Sequence, residues 1–109
     1  HTEVNAVINK IPITIDQALR LVKDEVVEGA LPNVRGRVTY KPRGVMTVVG
    51  PFNFPAHLPN GHIIPALVTG NTVVFKPSEF TPAVGQFYAE CIHKAGIPAG
   101  VFNLVQGIG

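Results

Sequence analysis

Between Gly44 and Pro82 the sequence reads GVMTVVGPFNFPAHLPNGHIIPALVTGNTVVFKPSEFTP. Two apolar runs, Val45–Val49 and Thr72–Phe75, bracket a segment of helical length. Each run is short, rich in β-branched residues and closed by Gly or Pro, which is the pattern of a buried strand. Strand, helix and strand in this order predict a βαβ unit, with parallel strands and a right-handed crossover. Polar residues stand just past each run: Asn53 after the first, and Lys76, Ser78 and Glu79 after the second. Ligands of open α/β sheets bind outside the carboxyl ends of the strands. Core and chemistry are therefore expected in the same stretch.

The pattern continues after Pro82. A second helix is expected from Pro82 to Gly96, with Val84, Phe87, Tyr88, Cys91 and Ile92 as its buried stripe. Ile97-Pro98-Ala99-Gly100 reads as a turn and Val101–Val105 as a third strand. The first helix is expected from about Pro55 to Thr69, with Leu58, Ile63, Ile64 and Leu67 as its apolar face. Pro59, Gly61 and Pro65 should make it irregular. The fold class is thus α/β, a β-α-β-α-β fragment of a doubly wound parallel sheet over residues 44–109, preceded by a helical segment in residues 1–43.

In that preceding segment, Val4, Val7, Ile8 and Ile11 recur at helical spacing, and Thr2 offers a cap. Pro12 and the β-branched Ile13, Thr14 and Ile15 break the pattern. A second helix is expected from near Asp16, with Leu19, Val22, Val26 and Val27 on its apolar face and Gly29 at its end. Leu31–Arg37 reads as a connector. Val38–Lys41 reads as a short edge strand limited by Pro42. No cluster of reactive side chains occurs in this third.

At 109 residues the chain is at most one domain. Apolar residues make up 46% of it and charged residues 15%, which suits a piece partly covered by further chain or a partner. The net charge is only +2 and the basic residues are scattered, which argues against a nucleic-acid partner. No apolar run has membrane-spanning length, and the first residues show no signal-peptide pattern. A single cysteine excludes an internal disulfide and fits a reducing cytoplasm.

Asn53 is flanked by two aromatics and followed by Pro55. A neutral amide at this place suits an oxyanion hole, where negative charge develops on an attacked carbonyl oxygen; the plainer alternative is an Asn that shapes its turn. Lys76 and Glu79 are suited to share the hydroxyls of a ribose, or else form a solvated ion pair. Gly107 and Gly109 make a G-x-G after the third strand, a weak sign of nucleotide binding alone. Cys91 falls in a helical stripe and reads as an inert buried thiol. His57, His62 and His93 lack ligand spacing, so no metal site is expected.

Taken together, these residues resemble the aldehyde dehydrogenase superfamily, from about Lys41 to Gly109. Gly50-Pro51-Phe52-Asn53-Phe54-Pro55 is similar to the family's Pro-Trp-Asn-Phe-Pro motif. Pro65-Ala66-Leu67 with Gly70–Val74 is similar to its helix-to-strand junction, and Lys76-Pro77-Ser78-Glu79 to its nucleotide-ribose motif. The resemblance implies a Rossmann-like fold and an NAD cofactor. It makes Asn53 the oxyanion amide and Lys76 and Glu79 ligands of the adenosine ribose, with Ser78 beside them. Val49, Gly50, Pro51 and Phe52 would line the cofactor cleft, with Gly107 and Gly109 near the nucleotide. It also implies a small aldehyde substrate and a cytoplasmic, homo-oligomeric parent enzyme.

Phe52 stands where the family usually has Trp, and Gly61-His62 replaces an aromatic and a Lys. The run His57–His62 is closest to the subfamily that oxidises N-succinylglutamate 5-semialdehyde in bacterial arginine catabolism, where Gly61 would leave space in the substrate tunnel. The family's nucleophilic cysteine and general-base glutamate are not replaced by anything in this chain. The expectation is an inactive fragment of an enzyme. The alternative is a self-contained nucleotide-binding or interaction module.

Overall fold

The computed structural model describes residues 2–29 and 31–108. The chain begins with helix α1 (Thr2–Leu21), unbroken at Pro12. Two helices separated there were expected. An interior proline costs about 3 kcal/mol in a helix. The half-buried stripe of Val7, Ile11, Thr14, Ile15 and Ala18 nevertheless runs across Pro12 at constant phase. Contact of this stripe with the rest of the molecule holds the helix together where propensity alone would divide it.

Residues 25–28 are not helical as expected. They form strand β1 (Glu25–Glu28), antiparallel to β2 (Arg35–Val38), with Glu25 opposite Val38 and Glu28 opposite Arg35. The β-branched pair Val26-Val27 follows its strand propensity once α1 has ended. Gly29, expected to stop a helix, donates its N–H to the Val34 carbonyl at 2.7 Å and closes the hairpin. The strand expected at Val38–Lys41 lies earlier in the chain and belongs to this separate two-stranded sheet. Every residue of both strands is exposed.

The remainder is β3 (Val45–Val49), α2 (His57–Val68), β4 (Thr72–Lys76), α3 (Pro82–Lys94) and β5 (Phe102–Leu104). The three strands are parallel in the order β3-β4-β5, with Val45 opposite Thr72 and Val73 opposite Phe102. Both crossovers step the same way across the sheet, so right-handed connections put α2 and α3 on one face. The core lies there. Val48, Val73, Phe75 and Phe102 from the strands meet Ile63 and Ala66 of α2 and Tyr88 and Ala89 of α3. The Phe75 ring centroid is 6.0 Å from that of Tyr88 and 6.3 Å from that of Phe102. The opposite face of β3, at Val45, Thr47 and Val49, is exposed.

Two expected helix faces are corrected. In α2, Leu58 is exposed, and the buried positions of the first turns are Pro59 and Asn60. In α3 the buried stripe is Gly85, Tyr88 and Ala89, with Ile92 half-buried, while Phe87 and Cys91 are exposed. The helix is turned by about one residue from the expected face, because its closest approach is centred on a glycine. A Cβ at Gly85 would lie 2.4 Å from Cγ of Pro77, so only glycine lets α3 settle onto the β4 exit.

The radius of gyration is 17.2 Å, against roughly 13 Å for a compact domain of this length. The longest dimension is 60 Å against 26 Å for the other two, so the chain is elongated.

Candidate functional site

The site is built at the carboxyl ends of β3 and β4. The Gly50 N–H donates to the Lys76 carbonyl at 2.8 Å, continuing the ladder beyond the Val49–Lys76 pair. A Cβ at Gly50 would sit 2.8 Å from Cγ of Pro59 and 3.0 Å from the Phe75 ring. Glycine is therefore required for the loop to leave β3 between the α2 start and the core. Beyond half-buried Pro51, Phe52 is exposed and meets Phe80 edge-on at 5.8 Å, joining the loops that leave the two strands. Asn53 is exposed, and its amide bonds to no other described residue.

The same loop ends at α2. The N-cap residue Ala56 has no side-chain oxygen to offer the helix. Instead, Glu3 of α1 accepts the N–H groups of Ala56 and His57 on one carboxylate oxygen, at 2.9 and 2.8 Å. Nothing in the local sequence signals this contact, because the partners are 53 and 54 residues apart. The one local sign was negative: a helix start without Ser, Thr, Asp or Asn at its cap.

At the β4 exit, the Lys76 ammonium donates to the carbonyls of Pro77 and Gly107, both at 3.0 Å, and lies 3.9 Å from the Glu79 carboxylate. Lys76, Glu79 and Gly107 are thus brought together with Val49 and Gly50. Ser78 is buried; its hydroxyl accepts the Phe80 N–H at 3.2 Å and lies 3.5 Å from the Glu79 carboxylate, so it braces its own turn. Gly109 lies outside the described residues.

Other candidates fall elsewhere. α3 starts at the carboxyl end of β4 and runs back toward the start of β5. Cys91, nine residues into it, is roughly 13 Å down the helix from the site end. His62 lines a groove along the outer edge of β3 with Arg43, Met46, Pro65 and Asn71. A Cβ at Gly61 would lie 3.3 Å from the Lys10 ammonium, so the space expected there for substrate is shared with α1. His93 Nε2 is 3.0 Å from the Phe102 carbonyl. No group of three or more His, Cys, Asp or Glu side chains suited to a metal occurs among the described residues.

Two structural residues also escaped the sequence reading. Asn71, read only within the helix-to-strand junction, is buried. Its oxygen accepts the N–H groups of Arg43 and Gly44, and its amide nitrogen donates to the Ala66 carbonyl and the Thr69 hydroxyl. It thereby ties the end of α2 to the start of β3. Asn60 is fully buried in α2 and accepts the Tyr88 hydroxyl at 2.9 Å. Burial pushes that phenol well above its ordinary range, and the neighbouring Cys91 adds to the push.

Comparison with known proteins agrees with this geometry. The family model described as "Aldehyde dehydrogenase family" matches residues 1–109, including the first forty residues, which carry no motif. The chain is 51% identical over 106 residues to an N-succinylglutamate 5-semialdehyde dehydrogenase of Novosphingobium aromaticivorans. That alignment covers 97% of this chain and 22% of the relative, so the chain spans about a fifth of its length. Among solved structures, an NADP-dependent glyceraldehyde-3-phosphate dehydrogenase from Bacillus halodurans complexed with NADP matches with a TM-score of 0.90. It is 37% identical, over 99% of this chain and 24% of that one. An NAD-dependent benzaldehyde dehydrogenase from Corynebacterium glutamicum matches with a TM-score of 0.85 and 33% identity, over 99% and 23% of the two chains. With the whole of its length matched by the family model, and with this sheet and these loops, the chain belongs to the aldehyde dehydrogenase family.

Proposed function

We propose that this chain is the first part of the nucleotide-binding domain of a semialdehyde dehydrogenase that oxidises N-succinylglutamate 5-semialdehyde to the carboxylate with NAD. The observation that carries this reading is the convergence at one end of the sheet. Asn53 leaves β3 and the Lys76–Glu79 pair leaves β4, with the two strand ends joined by the Gly50–Lys76 hydrogen bond. The substrate follows from the likeness to the Novosphingobium enzyme. Residues 44–109 form the start of the domain, and residues 1–43 supply a supporting helix and a projecting hairpin.

The residues fit a dinucleotide. Glu79 is partly exposed and accepts hydrogen bonds, which suits the two ribose hydroxyls of the adenosine half. The Lys76 ammonium already spends two donors on carbonyls, and so is less free to pair with a 2′-phosphate. A nicotinamide, when bound, accepts the hydride from the substrate. Asn53 then serves as a neutral donor to the oxygen that becomes negative when a thiol adds to the aldehyde. That thiol belongs to further chain, because Cys91 stands on α3 far from this end. The chain alone is expected to be inactive for the same reason.

The experiment is Asn53→Ala in the full-length enzyme, assayed by NADH formation with N-succinylglutamate 5-semialdehyde. Loss of one oxyanion donor should lower kcat by about 100- to 1000-fold without abolishing NAD binding. A near-normal rate would show that Asn53 only shapes its loop. Cofactor choice is tested by Glu79→Gln. A 2′-phosphate about 4 Å from the carboxylate would be repelled by roughly 1–4 kcal/mol. The kcat/KM preference for NAD over NADP should therefore fall by about tenfold or more. An unchanged ratio assigns the choice to another residue.

A further inference from the structure

We propose that Glu3 is a positioning residue: by capping α2 from another helix, it holds the loop that presents the Asn53 amide. This rests on the oxyanion reading of Asn53 given above. A helix begins with N–H groups that have no partner inside it, and a local Ser, Thr, Asp or Asn usually supplies one. The cap of α2 is Ala56, and no acidic residue stands in the first turn. The N–H groups can be followed one by one. Those of Ala56 and His57 go to a single Glu3 oxygen, and that of Leu58 goes to the Phe54 carbonyl at 3.2 Å. Pro59 has none, and that of Asn60 goes to the Ala56 carbonyl at 3.0 Å. Glu3 therefore satisfies the two donors nearest the loop, and its negative charge meets the positive end of the helix dipole.

The loop is tied at both ends and beside Asn53. Gly50 is tied to the Lys76 carbonyl and Ala56 to Glu3, while Phe52 meets Phe80 and the Phe54 carbonyl accepts the Leu58 N–H. Asn53 stands midway between Gly50 and Ala56, and Pro51 and Pro55 have no N–H to donate. Glu3 is itself held, because Val7, one turn further along α1, packs against the core. Without the carboxylate, the α2 end of the loop loses its tie to α1 and two N–H groups lose their acceptor, while Gly50 and the Lys76–Glu79 pair keep their contacts. The consequence falls on the placement of the amide and leaves the ribose contacts in place.

The experiment uses the full-length enzyme with N-succinylglutamate 5-semialdehyde and NAD. It compares Glu3→Ala, Glu3→Gln, Asn53→Ala and the Glu3→Ala/Asn53→Ala pair. Amide hydrogen exchange over residues 50–60 is measured on the cofactor-free protein. Glu3→Ala should lower kcat by about ten- to a hundredfold, the cost of a small misplacement. It should leave KM for NAD nearly unchanged and speed exchange at Ala56 and His57. Glu3→Gln, whose amide oxygen accepts the same bonds, should restore most of the rate. In the Asn53→Ala background, Glu3→Ala should cost little more, because the amide it positions is gone. An equal loss in both backgrounds, or no loss of kcat beside faster exchange, overturns the proposal. If Glu3→Ala does not fold, Glu3→Asp takes its place: it shortens the reach by one methylene and should slow only the enzyme that retains Asn53. A near-normal rate for Asn53→Ala overturns the oxyanion reading instead, while exchange still reports whether Glu3 caps α2.

Discussion

The hairpin β1–β2 and the sheet β3–β4–β5 are both rich in valine, yet only the sheet has a face that buries it. Val26 and Val27 are 66% and 50% exposed, and Val45 and Val49 on the uncovered face of the sheet are 70% and 67% exposed, whereas Val48 and Val73 on its covered face are 7% and 0% exposed. Strand propensity is the same in both regions; cover is not. A two-residue-period strand gains burial only if something packs on it, and a hairpin connection brings nothing with it. The βαβ connections carry α2 and α3 onto the sheet as part of the same chain, so the parallel half generates its own core. The hairpin pairs its backbone and leaves its side chains to solvent. The chain therefore contains one region that is stabilised from within and one whose apolar residues stand open to solvent.

The strongest way to break this contrast is to delete a large side chain from each region. Phe75→Ala removes a ring that touches Tyr88 and Phe102 in the core. It should cost about 3–5 kcal/mol and leave the chain largely unfolded in a urea titration. Val27→Ala, in the hairpin, should change stability by less than about 0.5 kcal/mol. Comparable losses at the two sites would show that the hairpin is buried by self-association of the chain, and sedimentation of both variants would reveal it.

A smaller effect sharpens the same contrast within the core. Tyr88→Phe removes the partner of the buried Asn60 side chain, whose nitrogen has none among the described residues. The cost should be about 1–2 kcal/mol. It should also depend on pH in a definite sense. The folded state holds the Tyr88 phenol neutral well above its ordinary range. The unfolded chain ionises it near pH 10. Above that pH the unfolded state binds fewer protons, so stability falls as pH rises. The wild-type chain should lose stability from about pH 10 upward, and Tyr88→Phe should remove part of that slope. Parallel slopes for the two proteins between pH 9 and 11 would mean that Tyr88 ionises freely in the folded state.

The legible part of this molecule was the part governed by local pattern. Val45–Val49 is a strand over the expected residues, and the expected Thr72–Phe75 strand extends by one, because β-branched runs closed by Gly or Pro leave few options. The placing of Asn53, Lys76 and Glu79 at and beyond the strand ends followed from the same pattern. What sequence did not reveal depends on contacts between distant segments. Pro12 is tolerated because a half-buried stripe runs along α1 on both sides of it, and α3 turns its face because Gly85 sits on Pro77. The Glu3 cap joins residues more than fifty positions apart. Residues 22–28 were misread for a different reason: Val22, Val26 and Val27 satisfy helical spacing and strand propensity alike, and only the pairing with Arg35–Val38 decides between them.

The smallest expected effect tests whether charge substitutes for burial in the hairpin. Arg37 forms an ion pair with Asp24, its Nε 2.9 Å from the carboxylate, and Arg35 pairs with Glu28 at 3.3 Å across the strands. These pairs link residues before and after the turn, and so favour the register that Gly29 closes. They are also largely exposed: Arg37 is 68% and Asp24 36% open to solvent. Exposed pairs contribute about 0–1 kcal/mol, since holding two long side chains offsets most of the attraction. Arg37→Ala should therefore lower the stability of the chain by no more than about 1 kcal/mol at low salt. The difference from wild type should vanish in 1 M salt, where the screening length is about 3 Å. A loss above about 2 kcal/mol that survives high salt would require a desolvated pair. It would place the hairpin in the same cooperative unit as the parallel sheet, which its exposed valines argue against.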